Sequence, residues 1–172
     1  MSTVRFIADL HIGHESMAKK RGFATVEEHD EHIIKLWNQV VAKRDVTYIL
    51  GDLTMEKSNY DFLNRLNGKK RVVAGNHDMP AHTKNLFDKV ESISGIVQYK
   101  GIFLTHCPVH PMEMDYRIKK NIHGHIHEKR VMKSIKIFGF TLFSRPDNRY
   151  ICVSCEHVNY SPKTLVELGV AR

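Results

Sequence analysis

The chain has 172 residues, 42% of them hydrophobic, which is enough for one domain with a proper core and too little for two ordinary ones. That hydrophobic content argues against disorder, and apolar runs as short as Val72–Ala74 and Ile102–Leu104 exclude a membrane-spanning helix. The net charge of +7 leans towards a polyanionic or phosphorylated partner, although each basic cluster taken singly reads as solvated surface.

The N-terminus enters a strand at once, Val4–Ala8, and lacks the basic start and long apolar stretch of a secretory signal. Thr25-Val-Glu-Glu forms a capping box, with Glu28 three residues after Thr25. It predicts a helix from there to about Ala42, with Val26, His29, Ile33, Leu36, Trp37 and Val40 on one stripe. Val46–Leu50 reads as a second strand, Ser58–Leu66 as a second helix and Arg71–Ala74 as a third strand. This βαβαβ order predicts parallel strands joined by right-handed crossovers. Beyond residue 89 the texture changes to short strands: Val90–Ile93, Ile96–Lys100, Ile102–Thr105, Lys120–His123, Ser134–Phe138, Thr141–Phe143 and Arg149–Ser154. Ser94-Gly95 and Gly139 mark tight connections, and Ser161-Pro162 opens a last short helix. The expectation is one α/β domain spanning residues 1–172, with a parallel half and an antiparallel half. Cys107, Cys152 and Cys155 do not make a disulfide framework and read as ordinary thiols of a reducing cytoplasm, the host's if the chain is viral.

Five short pieces stand where predicted strands run out into loops. They are Asp9-Leu10-His11, Gly51-Asp52, Gly75-Asn76-His77-Asp78, His106 and Gly124-His125-Ile126-His127. Asp, Asn and His hold divalent metals through oxygen and imidazole nitrogen, and loops at strand ends let a rigid sheet aim several side chains at one point. In extended chain the two-residue spacing of Asp9 and His11, and of His125 and His127, would put each pair on one face. Each piece alone has a bland explanation; five in this order are not accounted for by chance.

The pattern D-x-H, G-D, G-N-H-D, H, G-H-x-H resembles the calcineurin-like metallophosphoesterase superfamily over residues 9–127, and most closely its small bacterial and phage-type members. The resemblance implies a four-layer αββα sandwich, two mixed β-sheets flanked by helices. It implies two divalent metals, Mn²⁺ first, with Fe, Ni²⁺, Zn²⁺ or Mg²⁺ as alternatives. By position Asp9, His11 and His127 would hold one, Asn76, His106 and His125 the other, and Asp52 would bridge them. The implied chemistry is attack on phosphorus by a metal-bound hydroxide, with His77 as general acid and Asp78 orienting it. Gly51-Asp52-Leu53-Thr54-Met55-Glu56-Lys57 lacks the second Asp and the Arg of the protein-phosphatase motif G-D-x-x-D-R-G. The match to the phosphodiesterase branches therefore predicts a phosphodiesterase acting on a nucleotide or nucleic acid. A phosphomonoesterase of the nucleotidase kind is the alternative, and a non-catalytic metal-binding scaffold comes after it. His14 and Arg21 are the candidate substrate clamps, with Lys119 and Lys120 on the opposite rim. The expected partner is a phosphoester substrate and no membrane, the protein being a monomer or small homo-oligomer.

Overall fold

Four parallel strands make the first sheet in the order β1-β2-β3-β4, from Val4–Ile7, Val46–Ile49, Lys69–Val73 and Ser92–Ser94. The computed structural model describes residues 2–55, 60–78, 83–114, 116–138 and 140–170. The first crossover is α2, Val26–Val40, preceded by the short α1, Glu15–Lys20, a helix that no sequence signal predicts. Thr25 caps α2 by accepting the Glu28 N–H at 3.1 Å, and Glu28 reaches back to the Ala24 N–H at 3.0 Å. Burial of its Ile33, Ile34 and Trp37 against the sheet secures the helix. Three residues of that size, each buried at about 1.5–3 kcal/mol, outweigh the helix's marginal intrinsic stability.

The expected second helix is a 3-10 turn, Asp61–Arg65; Ser58, where it would begin, lies outside the described residues, as does Gly139. A third helix, α3, spans Thr83–Phe87 and buries Leu86.

The second sheet has the order β10-β7-β6-β5, from Tyr150–Cys152, Lys120–His123, Ile102–Thr105 and Ile96–Tyr99. Here the expected antiparallel half is corrected. β6, β7 and β10 are mutually parallel, and within this sheet only β5 runs the other way. The residues between β6 and β7, and between β7 and β10, are long enough to carry the chain back to the starting edge, so short strands here do not imply hairpins. Gly95 separates β4, in the first sheet, from β5, in the second. An antiparallel ribbon, β8 (Met132–Ile137) with β9 (Phe140–Pro146), forms between β7 and β10 and joins neither sheet. From Cys155 to Val170 the chain forms turns, and the helix expected at Ser161-Pro162 is absent.

One apolar core serves both sheets. Phe6, Ile49 and Val72 from the first meet Leu104 and Ile122 from the second. The sheets are also tied through the backbone: Ala8 donates to the Val153 carbonyl at 2.8 Å, and Cys155 donates to that of Ala8 at 3.1 Å. The result is an α/β fold of several sheets and few helices. It brings the C-terminal ends of β1, β2, β3, β6 and β7 to one region. Among the described residues, no helix is long and apolar enough to cross a membrane.

Candidate metal centre

At those strand ends the backbone departs from extended geometry. Asp9, His11, Asp52, His125 and His127 all have positive φ, between 49° and 70°. For residues with a Cβ this left-handed conformation costs about 1–2 kcal/mol each, and such strain collects where function over-determines the geometry. The two-residue pairs therefore do not converge by strand alternation as expected. Each of these five candidate ligands is turned by its own left-handed backbone. The loops are zipped together, with Asp9 donating to Gly51, His11 to Asp52 and Ile12 to Leu53, each at 3.0 Å.

Three glycines make room for this packing. A Cβ on Gly51 would meet the His106 ring, and one on Gly75 would meet the Asp52 carboxylate. One on Gly124 would lie 2.5 Å from the Ala8 Cβ and 2.6 Å from Asp9 Oδ2.

Around them the candidate ligands close on one another. Asp9, His11 and His127 form one group with ligand atoms in mutual reach, Asp9, Asp52 and His106 a second, and His106, Cys107 and His125 a third. Asp52 Oδ2 lies 3.4 Å from His106 Nε2, 3.8 Å from His11 Nε2 and 4.0 Å from His77 Nε2. His106 donates Nδ1–H to the Leu50 carbonyl at 2.8 Å, so its Nε2 presents a lone pair. That lone pair converges with Asn76 Oδ1 at 2.9 Å and His125 Nδ1 at 3.2 Å. His127 likewise donates Nδ1–H to Glu156 at 3.2 Å.

These residues fit divalent cations. Both ring nitrogens of the buried His11 lack any hydrogen-bond partner, a costly state for polar atoms and an ordinary one for a metal ligand. Burial pushes the Asp9 carboxyl up to about 6, against the Ser154 hydroxyl that donates to it at 2.5 Å, and drives the His11 imidazole down. At Asp52 burial also raises the pKa, but the neighbouring His106 imidazole and the His77 N–H that Oδ1 accepts outweigh it and hold the carboxylate ionised. A neutral His11 imidazole facing an ionised Asp52 carboxylate is the pairing of protonation states a cation requires.

The remaining site residues fall into two groups. The His77 side chain is 41% exposed and faces outward beside Asp52. The His14 ring lies 5.4 Å from that of His11, partly buried. Arg21 and Asp78 are placed otherwise than expected. The Arg21 side chain is only 1% exposed and lies behind the ligand loop. It donates to the Asp9 carbonyl at 2.8 Å, the Leu10 carbonyl at 3.1 Å, Glu156 at 2.9 Å and His29 Nε2 at 2.8 Å. So engaged, the guanidinium is directed at the backbone of the Asp9-Leu10 loop. The Asp78 carboxylate does not touch the His77 ring; it accepts the N–H groups of Asp52, Leu53 and Gly75 at 2.8–3.1 Å and clamps two ligand loops together. Lys119 and Lys120 lie at the opposite end of the second sheet, where β7 begins, and not on the site's rim.

Sequence reasoning missed Glu156, Ser154 and Cys107. Glu156 and Ser154 lie far along the chain from the motifs they support, so no local spacing marks them. Cys107 directly follows the candidate ligand His106, the one local signal that sets it apart from an ordinary thiol.

The Arg21–Glu156 pair yields a stability test. Arg21→Met leaves Glu156 mostly buried without its cation and strips two backbone carbonyls of a donor. The expected cost is about 3–5 kcal/mol in urea unfolding, the range for breaking a buried ion pair. A loss below about 1 kcal/mol, the range of exposed pairs, would mean that water replaces the guanidinium.

Comparison with known proteins agrees with this geometry. A family model described as calcineurin-like phosphoesterase matches residues 2–129. The chain is 31% identical to an uncharacterized protein of Methanocaldococcus jannaschii, covering 96% of this chain and 88% of that one. It is also 31% identical to the gene 66 protein of Mycobacterium phage L5, over 77% of this chain and 81% of the phage protein. A crystal structure of a protein of unknown function from Aquifex aeolicus superposes with a TM-score of 0.70 at 23% identity, covering 98% of both chains, and so shares the fold.

Proposed function

The chain belongs to the calcineurin-like phosphoesterase family, and from that premise we propose that it is a dinuclear metal-dependent phosphodiesterase acting on a nucleotide or nucleic-acid phosphoester. The observation that carries the metal assignment is the buried, unpartnered His11 set among four other candidate ligands with left-handed backbones. In this reading Asp9, His11 and His127 would hold one cation and Asn76, His106 and His125 the other, with Asp52 available to both; Mn²⁺ would suit such a mixed N/O set. When bound, the two cations supply a water ionised at roughly neutral pH and offset the charge that develops on phosphorus.

The rest is done by the chain's own residues. His106 and His127 keep their Nδ1 protons on Leu50 and Glu156, which fixes the tautomer that leaves Nε2 available. His77, open to solvent beside Asp52, donates the proton to the departing oxygen. His14, beside His11, contacts a non-bridging phosphate oxygen. Asp78 and Arg21 act as positioning residues, one joining the Asp52 and Gly75 loops and the other gripping the Asp9-Leu10 backbone.

The withdrawal of Arg21 supports a diester substrate. A monoester dianion calls for an added cationic clamp, and Arg21 is committed to backbone carbonyls of the Asp9-Leu10 loop. The test is turnover of bis-p-nitrophenyl phosphate against p-nitrophenyl phosphate with Mn²⁺. The expected result is a kcat/KM at least about tenfold higher for the diester, a difference of about 1.4 kcal/mol in barrier. A monoester preference would replace the diesterase reading with that of a phosphomonoesterase.

A further inference from the structure

The candidate ligands crowd the C-terminal ends of β6 and β7, and the opposite ends of these strands carry a different chemistry. Lys100, Arg117, Lys119, Lys120 and Arg149 line two adjoining clefts where β6, β7 and β10 begin. Lys133 and Arg145 extend this charge onto the β8–β9 ribbon, paired across its root. The carboxylate lining these clefts is Asp147, bound to Arg149 at 2.7 Å. Among the described residues, the other six cations form no ion pair with a carboxylate at contact distance. Seven cations held together beside one carboxylate repel one another and favour binding of a polyanion.

Aromatic rings stand among these charges. Strand alternation and pairing put Ile135 and Phe143 on the same face as Lys133 and Arg145. Phe143 is about half exposed, and Phe140 and Phe138, further out, are 76% and 96% exposed. Tyr116 is 80% exposed beside Arg117, whose guanidinium lies 5.7 Å from its ring. A two-stranded ribbon is marginally stable alone in water, and large apolar side chains left open on it call for an occupant.

We propose that this end of the second sheet, with its ribbon, binds single-stranded nucleic acid as an anchor remote from the metal centre. Cations meet the phosphates, and unpaired bases stack on the phenylalanine and tyrosine rings. A second copy of the chain fits poorly, because two such faces would bring like charges together. A lipid surface would be met by the ribbon's tip, but the cations continue away from it into the Arg117 cleft, which no ribbon residue lines. A further cleft of about 480 Å³ leads from Lys120 and Asn148 to Arg130, Cys152 and His157. The Cys152 thiol donates to the His127 carbonyl at 3.6 Å, so this cleft ends behind a candidate metal ligand. β7 is four residues long, about 13 Å at ~3.3 Å per residue, so a short stretch of anchored strand spans the gap. That the anchored strand is also the substrate rests on the phosphodiesterase reading; the binding itself does not.

The test uses Mn²⁺-loaded protein and a fluorescein-labelled oligodeoxythymidylate with phosphorothioate linkages, read by anisotropy over a salt series. The Lys133→Glu, Arg145→Glu double variant is expected to bind roughly tenfold or more weakly, with a salt slope shallower by roughly 0.7 for each phosphate no longer neutralised. Phe140→Ser with Phe143→Ser is expected to weaken binding roughly tenfold at unchanged slope, since stacking releases no counterions. Lys119→Glu, on a different element, repeats the electrostatic test should ribbon substitutions unsettle the fold. Turnover of bis-p-nitrophenyl phosphate is expected to stay unchanged in all of them, which separates this surface from the metal centre. Oligonucleotide affinity unmoved by every variant would overturn the proposal. So would binding of phosphatidylserine vesicles, abolished in the phenylalanine variant, without oligonucleotide binding. An absence of diester turnover with oligonucleotide binding intact would instead strike only the catalytic reading.

Discussion

Asp52→Asn is expected to lower bis-p-nitrophenyl phosphate turnover by on the order of 10³-fold or more and to reduce the metal content of the purified protein. The several kcal/mol that a metal centre contributes to the transition state set this scale. Asp52 stands at the centre of the cluster, with imidazole nitrogens of His106, His11 and His77 within 3.4–4.0 Å of its Oδ2. Asn matches it in shape, and its carbonyl oxygen can still accept the His77 N–H that Asp52 Oδ1 accepts at 3.0 Å. Asp78 also continues to hold the residue's backbone N–H. The substitution therefore removes a charge and an oxygen donor while the loops stay in place. Kinetics together with metal analysis and a thermal melt provide the check. Full turnover with unchanged metal content would remove Asp52 from the centre.

A second large effect is expected at His77, with a different signature. His77→Ala should leave metal content near that of the parent, because the backbone N–H that holds Asp52 is retained. Loss of a positioned general acid costs about 10²–10⁴-fold, but only where the departing oxygen needs a proton. A dinucleotide, whose leaving nucleoside would depart as a strongly basic alkoxide without that proton, should show the loss. Bis-p-nitrophenyl phosphate, whose leaving group departs readily as the anion, should lose far less. The ratio of the two losses is the measurement. Equal losses would assign His77 a positioning role in place of proton donation.

The two variants probe what the structure separates, a buried cluster suited to cations and a half-exposed imidazole at its edge. Glu156 and Arg21 extend the cluster backwards into the protein. Through the Glu156 carboxylate, held down to about 2 by His127 and Arg21 against the upward push of its burial, the network ties His127 to the Asp9-Leu10 backbone. His29, which sequence periodicity places on the packing stripe of α2, accepts from Arg21 and donates Nδ1–H to Asp30 at 2.7 Å, and Asp30 holds the Gly13 N–H at 2.9 Å. A residue that periodicity assigns to the core is thus also a support of the ligand loop.

The candidate ligands were legible in the sequence because Asp, Asn and His are conspicuous at the ends of apolar strands, and the first three strands and α2 were legible because periodicity and capping are local properties. Strand direction in the second half was not legible, since parallel and antiparallel pairing differ in where the intervening chain travels and not in the strands themselves. The left-handed backbones at Asp9, His11, Asp52, His125 and His127 were hidden for a related reason. Glycine adopts positive φ freely and these residue types do not; the zippered loops and the packing around Gly51, Gly75 and Gly124 impose it. The direction of Arg21 was decided by carbonyls at Asp9 and Leu10 and by Glu156, 135 residues away. The sequence by itself determined which chemical groups are present and in what order. Only the tertiary structure decided which converge, which face solvent and which lie buried as supports, because those outcomes depend on contacts between segments distant along the chain.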